Sequence, residues 1–96
     1  MNIAIDFDET ITRDAMLWRT FIDTAIAGGH KVMLVTCRRN NMDNREIIRD
    51  WMTDHHMSGV QVYFTDLNSK LEHMRARGIK IDIWIDDDPA CIIHGK

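Results

Sequence analysis

Asn2-Ile3-Ala4-Ile5-Asp6-Phe7-Asp8-Glu9-Thr10 starts as a short apolar run and turns abruptly acidic. The run up to Ile5 reads as a strand. Asp6 and Asp8, one residue apart, would share a face if that strand continued. Neighbouring carboxylates at the mouth of a buried strand repel each other and lose hydration. The arrangement therefore calls for a bound cation or a shared proton. The plain alternative is a polar strand end running into a turn, and the rest of the chain weighs against it.

Downstream, Asp14 is placed to cap a helix. From Met16 to Ala27 the residues Leu17, Trp18, Phe21, Ile22, Ala25 and Ile26 fall on one helical stripe, and Gly28-Gly29 closes it. Val32-Met33-Leu34-Val35 has no polar alternation, as expected of a strand buried on both faces of a parallel sheet. It stops at Thr36-Cys37-Arg38-Arg39, before the turn-prone pair Asn40-Asn41. A second amphipathic helix is predicted from about Asp43 to His55, with Ile47, Ile48, Trp51, Met52 and His55 along one side. Ser58-Gly59 breaks it, and Val60 to Phe64 reads as a third strand. Asn68-Ser69 starts a third helix, with Leu67, Leu71 and Met74 on its stripe and Gly78 at its end. Ile81-Asp82-Ile83-Trp84-Ile85 is the fourth strand and runs into Asp86-Asp87-Asp88-Pro89.

The order β-α-β-α-β-α-β with short connections predicts one α/β domain over 1–96, a parallel sheet with right-handed crossovers. Parallel strands point their carboxyl ends the same way, so Asp6, Thr36 and Asp86 belong on one rim. Open α/β sheets bind ligands on that rim.

Composition bounds the function. A chain of 96 residues with 45% apolar and 28% charged residues is ordinary for a single folded domain. A net charge of −3 gives no reason to expect strong non-specific binding of nucleic acid. Cys37 and Cys91 are far apart, without metal spacing, and are expected as free thiols in a reducing compartment. With no signal-peptide pattern and no run of about eighteen apolar residues, the expectation is a soluble, cytoplasmic protein. The five histidines show no ligand spacing and read as surface or capping residues.

The rim residues resemble, in order, the four signature motifs of the haloacid dehalogenase-like (HAD) phosphatase superfamily. Ile3 to Thr10 is similar to an apolar strand followed by Asp-x-Asp-x-Thr. Val32 to Thr36 is similar to the strand that ends in Thr or Ser. Lys70 matches the lysine of the third motif, and Ile83 to Asp87 matches the fourth. The resemblance covers roughly Met1 to Pro89, and four motifs in order on the right elements are specific where one would not be. It implies a three-layer α/β/α, Rossmann-like sheet in the order 3-2-1-4.

The resemblance also implies a magnesium-dependent phosphatase that hydrolyses a phosphate monoester. Asp6 would attack phosphorus and form an aspartyl-phosphate, with Asp8 as general acid and then base. Asp6, Asp86 and the main-chain carbonyl of Asp8 would ligate Mg2+, and Asp87 or Asp88 would hold a metal-bound water. Thr36 and Lys70, with Cys37 and Arg38 beside them, would contact the phosphate. Arg38 alternatively reads as half of a surface salt bridge.

Departures from the family carry information too. Only Ile11 to Asp14 and Thr65 to Ser69 occupy the two places where the family inserts a cap, so no cap domain is expected and the rim should be open. The substrate would be a phosphorylated small molecule or macromolecule. Helices one and two should cover one face of the sheet and helix three the other. Ala90-Cys91-Ile92-Ile93 could fold over that second face, or a homo-oligomer could hide it. Two other functions compete. A receiver-like phosphoacceptor module would use Asp66 at the end of the third strand, and a non-catalytic binding protein would merely retain the fold.

Overall fold

β1 (Asn2–Ile5) and β2 (Lys31–Thr36) form the centre of a four-stranded parallel sheet in the computed structural model, which describes all 96 residues. The outer strands are β3 (Gln61–Phe64) and β4 (Ile83–Ile85), and the order is β3-β2-β1-β4. Registers are regular: Ile3 lies opposite Val32 on one side and Ile83 on the other, and Thr36 lies opposite Phe64.

The continuous apolar runs explain why β1 and β2 are central. Ile3, Ala4 and Ile5, and Val32 to Val35, are all buried, so side chains of both parities need cover. α1 (Ala15–Ala27) and α2 (Met42–Asp54) cover one face, where Ile3, Ile5, Val32 and Leu34 pack with Ile22, Ala25, Ile48 and Met52. α3 (Lys70–Ala76) covers the other, where Ala4, Met33 and Val35 pack on Met74, with Tyr63, Ile79, Ile81 and Trp84 around them. The result is the parallel α/β sheet that the pattern predicts, in the three-layer, Rossmann-like form and strand order that the resemblance implies.

Each main helix begins on a side-chain cap. Asp14 accepts the Leu17 N–H at 3.0 Å, Asn41 the Asn44 N–H at 2.9 Å, and Ser69 the Glu72 N–H at 3.2 Å. The helical stripes are narrower than their apolar residues suggest. Leu17, Ile26 and Ile47 remain 55%, 53% and 50% exposed. Each sits roughly 70–120° around the helix from the centre of its buried residues, at or beyond the edge of what a flat sheet can cover. Leu67 is off the α3 stripe altogether. It and Asp66 take positive φ (66° and 53°) in the turn before the helix.

The C-terminal segment differs from expectation. Ala90–His94 forms a short helix, α4, packed against α3 beside the carboxyl rim rather than spread over the second face of the sheet. Ser69 Oγ donates to the Ile92 carbonyl at 2.9 Å, and Lys96 N–H to the Leu67 carbonyl at 2.8 Å. Gly95, at φ +76°, is pressed so close to Leu67 and Asn68 that a Cβ would collide with their backbone. This docking carries Cys91 to Cys37. Expected as free thiols, the two are paired as a disulfide across 54 residues of chain. Their separation has no recognisable spacing, and only the meeting of α4 with the end of β2 brings them together. His73, expected at the surface or in a cap, instead has its Nε2 buried without a partner, and burial pushes the ring's pKa down. No helix is long and apolar enough to cross a membrane.

Candidate active site

Three strand ends and one helix start converge on the rim. β1 stops at Ile5, and the Asp6 N–H extends the pairing to β4 through the Ile85 carbonyl at 2.9 Å. The chain then turns. Glu9 adopts φ +61°, and Ile11–Arg13 forms a single 3-10 turn. The strand therefore does not continue through Asp8, and Asp6 and Asp8 are not held as a like-charged pair sharing one partner. Each has a cation of its own.

Asp6 meets Lys70. The ammonium donates to Asp6 Oδ1 at 2.8 Å and to Asp86 Oδ2 at 2.5 Å. The lysine side chain is 2% exposed and those of Asp6 and Asp86 are 9% and 3%. Lys70 is the first residue of α3, so its stem runs inward under the rim instead of out along the helix surface. A buried lysine is expected only where it is paired. Asp86, at the end of β4, also accepts the Asp88 N–H on Oδ1 at 2.9 Å. Thr10 links the remaining acid: its Oγ1 accepts the Asp87 N–H at 3.2 Å. The same hydroxyl lies 3.5 Å from Asp6 Oδ2 and 3.3 Å from Asp87 Oδ1, to one of which it donates.

Carboxylate oxygens of Asp6, Asp86 and Asp87 come within 4.8 Å of one another. Asp88 is outside that group, so Asp87 is the second acid of the Asp86-Asp87-Asp88 run to join it. Burial drives the Asp6 carboxyl from its ordinary 3.8 up to about 6, against the lowering pull of Lys70.

Asp8 meets Arg38. The guanidinium presents a fork, Nε to Asp8 Oδ2 at 2.9 Å and Nη2 to Asp8 Oδ1 at 2.8 Å. This fork holds the Asp8 carboxyl below its usual range and raises Arg38 in turn. Nη1 donates to Asn44 Oδ1 on α2 at 3.1 Å, and the guanidinium carbon lies 5.4 Å from the Phe7 ring centroid. Thr36, 1% exposed, accepts the Arg38 N–H on Oγ1 at 3.3 Å. Asp6, Asp8, Thr36, Cys37, Arg38, Lys70, Asp86 and Asp87 line one cleft of about 140 Å³, with Leu67, Asp88, Cys91 and Lys96 completing the lining.

Every residue that the HAD-like resemblance singles out thus reaches the same cleft, though only three of the acids form the tight cluster. Asp66, the residue that suits a receiver-like site, is elsewhere: it accepts the Asn40 N–H at 2.6 Å in the loop after β3. Sequence reasoning assigned no role to Asn44, Thr10 or Lys96. Thr10 stood inside the Asp-x-Asp-x-Thr pattern and was readable there. Asn44 and Lys96 carry no signal short of the fold itself.

The donor set is oxygen only and carries more negative charge than Lys70 offsets, which suits a hard divalent cation such as Mg2+. The chain matches no protein-family model, no curated protein and no solved structure.

Proposed function

We propose that this chain is a magnesium-dependent phosphatase similar to the capless members of the HAD superfamily, acting on a phosphate monoester. The observation that carries the reading is Lys70, buried between Asp6 and Asp86 on the rim that also holds Thr36 and Asp87. A purely structural ion pair needs one carboxylate for one ammonium. Here two carboxylates share one ammonium and a third lies within 4.8 Å of them, a surplus of negative charge that costs stability unless a cation offsets it.

Asp6, Asp86 and Asp87 would hold the cation, with the main-chain carbonyl of Asp8 as the resemblance implies. When bound, Mg2+ supplies positive charge against the oxygens of the transferring phosphoryl group. An Asp6 carboxylate oxygen forms a bond to phosphorus as the bond from phosphorus to the ester oxygen breaks. Asp8 gives that oxygen its proton, and the alcohol leaves. Asp8, now ionised, takes a proton from water, whose oxygen attacks the acyl-phosphate and releases inorganic phosphate and the Asp6 carboxylate. Thr36 Oγ1 and Lys70 Nζ bind the phosphoryl oxygens throughout.

The test is hydrolysis of an aryl phosphate by the purified protein, with Mg2+ and with chelator. Activity that needs Mg2+ and disappears in Asp6→Asn is the expected outcome. Full activity in Asp6→Asn would sink the reading.

A further inference from the structure

We propose that Arg38, positioned by Asn44, is a latch that holds Asp8 until the substrate's phosphoryl group takes the carboxylate's place. The proposal rests on the roles given to Asp6 and Asp8 above, and it concerns how Asp8 becomes available to act.

The rim carries two carboxylate–cation assemblies of different character. The one around Lys70 is sealed, with every side chain under a tenth exposed. The Arg38–Asp8 pair is open to water, its side chains 28% and 45% exposed. Part exposure lets a competing anion reach the fork from solvent, which the sealed Lys70 assembly does not allow without rearrangement. The pair must open for chemistry. The fork takes one bond to each Asp8 oxygen and turns the carboxylate toward the guanidinium, away from a leaving group it would have to protonate.

Arg38 is built to stay behind when Asp8 leaves. Its backbone N–H is tied to Thr36 Oγ1, two residues upstream, which fixes the root of the side chain at the proposed phosphate site. Its Nη1 is held by Asn44, whose own amide nitrogen is anchored on the Arg39 carbonyl at 2.9 Å. Its face lies against the buried Phe7 ring. None of these supports involves Asp8. The Nε–Nη2 edge that grips the carboxylate is the same edge that grips two phosphoryl oxygens, and a dianion in that fork outcompetes a monoanion. Asn44 is thus a positioning residue: it holds the guanidinium in place through the exchange.

The test is equilibrium binding of inorganic phosphate in the presence of Mg2+, by calorimetry, to four forms: wild type, Arg38→Met, Asp8→Asn and the double variant. Arg38→Met should bind phosphate about tenfold to a hundredfold more weakly, the loss expected of a charge-assisted fork. Asp8→Asn should bind it several-fold more tightly, because the fork no longer has a competitor. That gain should shrink markedly in the Arg38→Met background, where only the removal of a nearby like charge remains. Asn44→Ala should weaken binding in the Arg38 protein and change nothing in Arg38→Met.

Arg38→Lys replaces Arg38→Met if the latter does not fold. It keeps the charge, loses the fork, and should also lose most of the coupling to Asp8. Unaltered affinity in the Arg38 variant, or an equal gain from Asp8→Asn in both backgrounds, overturns the latch. If wild type hydrolyses aryl phosphates and the effects are simply additive, the latch fails and the phosphatase reading stands. If wild type neither binds phosphate nor hydrolyses an ester, both fail.

Discussion

Asp6→Asn should stabilise the metal-free protein at neutral pH and do nothing for it in acid. The carboxyl is nearly buried, and its folded-state pKa is raised from 3.8 to about 6, with burial the largest cause. A raised carboxyl pKa means that the folded chain holds its proton more tightly than the unfolded chain does. Below about pH 4 both states are protonated and the site costs nothing. Between about pH 4 and pH 6 the unfolded chain ionises while the folded chain keeps its proton, so stability is lost across that window and levels off above it. A shift of this size corresponds to about 3 kcal/mol at pH 7.5. For a domain of this length that is about 10–20 °C in Tm. The figure is an upper bound, because the asparagine amide must itself find partners and Lys70 is left with Asp86 alone.

The assay is urea unfolding of wild type and Asp6→Asn in chelator, from pH 4 to pH 8. The difference between the two should start near zero and grow in favour of Asp6→Asn across pH 4–6.5. Adding Mg2+ at pH 7.5 should then raise the stability of wild type far more than that of the variant. A difference independent of pH, or a variant less stable than wild type at pH 7.5, would refute the account of Asp6 as a carboxylate held against its own solvation.

Three further outcomes are expected. Mg2+ should raise the Tm of wild type, and Asp86→Ala should abolish that rise in a thermal scan; an unchanged response removes Asp86 from the ligand set. Lys70→Met leaves Asp6 and Asp86 buried without a counter-charge and should lower the urea-unfolding free energy by about 3–5 kcal/mol at neutral pH. A loss under 1 kcal/mol would show the pair to be solvated. Asp8→Asn should still be phosphorylated by aryl phosphates, whose leaving groups need little protonation. Turnover of that intermediate should slow by about a hundredfold or more, seen as a burst in quenched-flow traces, while alkyl phosphates barely react.

Much of the fold was legible because its two central strands carry no polar alternation. Val32 to Val35 is buried on both faces, and a run of that kind has few other places to be. Helix faces were legible to within a residue or two, and failed at the stripe edges represented by Leu17, Ile26 and Ile47, where a side chain is apolar without being covered. α4 was not legible as a helix: five residues are too few to show a period, and its position depends on Gly95 fitting against the turn at Leu67. The Cys37–Cys91 pairing was hidden for the same reason.

The candidate site was legible as a set of positions but not as a set of partnerships. Strand ends place Asp6, Thr36 and Asp86 on one rim by topology alone. Which cation each acid takes is a matter of side-chain direction, and a one-dimensional pattern does not contain it. Asp6 and Asp8, adjacent in the motif, were expected to share one compensating charge. The turn after Ile5 instead sends Asp6 to a sealed lysine and Asp8 to an open arginine. Their pKa values move in opposite directions as a result, Asp6 up by burial and Asp8 down by its fork. Opposed shifts on neighbouring carboxyls divide labour between a nucleophile and a proton carrier. Here both directions run against the roles in the metal-free chain: Asp6 is held toward its protonated form, which a bound cation would reverse, and Asp8 is held ionised, where it cannot donate. The contradiction at Asp8 is removed if the fork that holds it is itself a phosphate site. The group that keeps Asp8 ionised then leaves it when substrate arrives, and the proton can be taken up only once there is an ester to receive it.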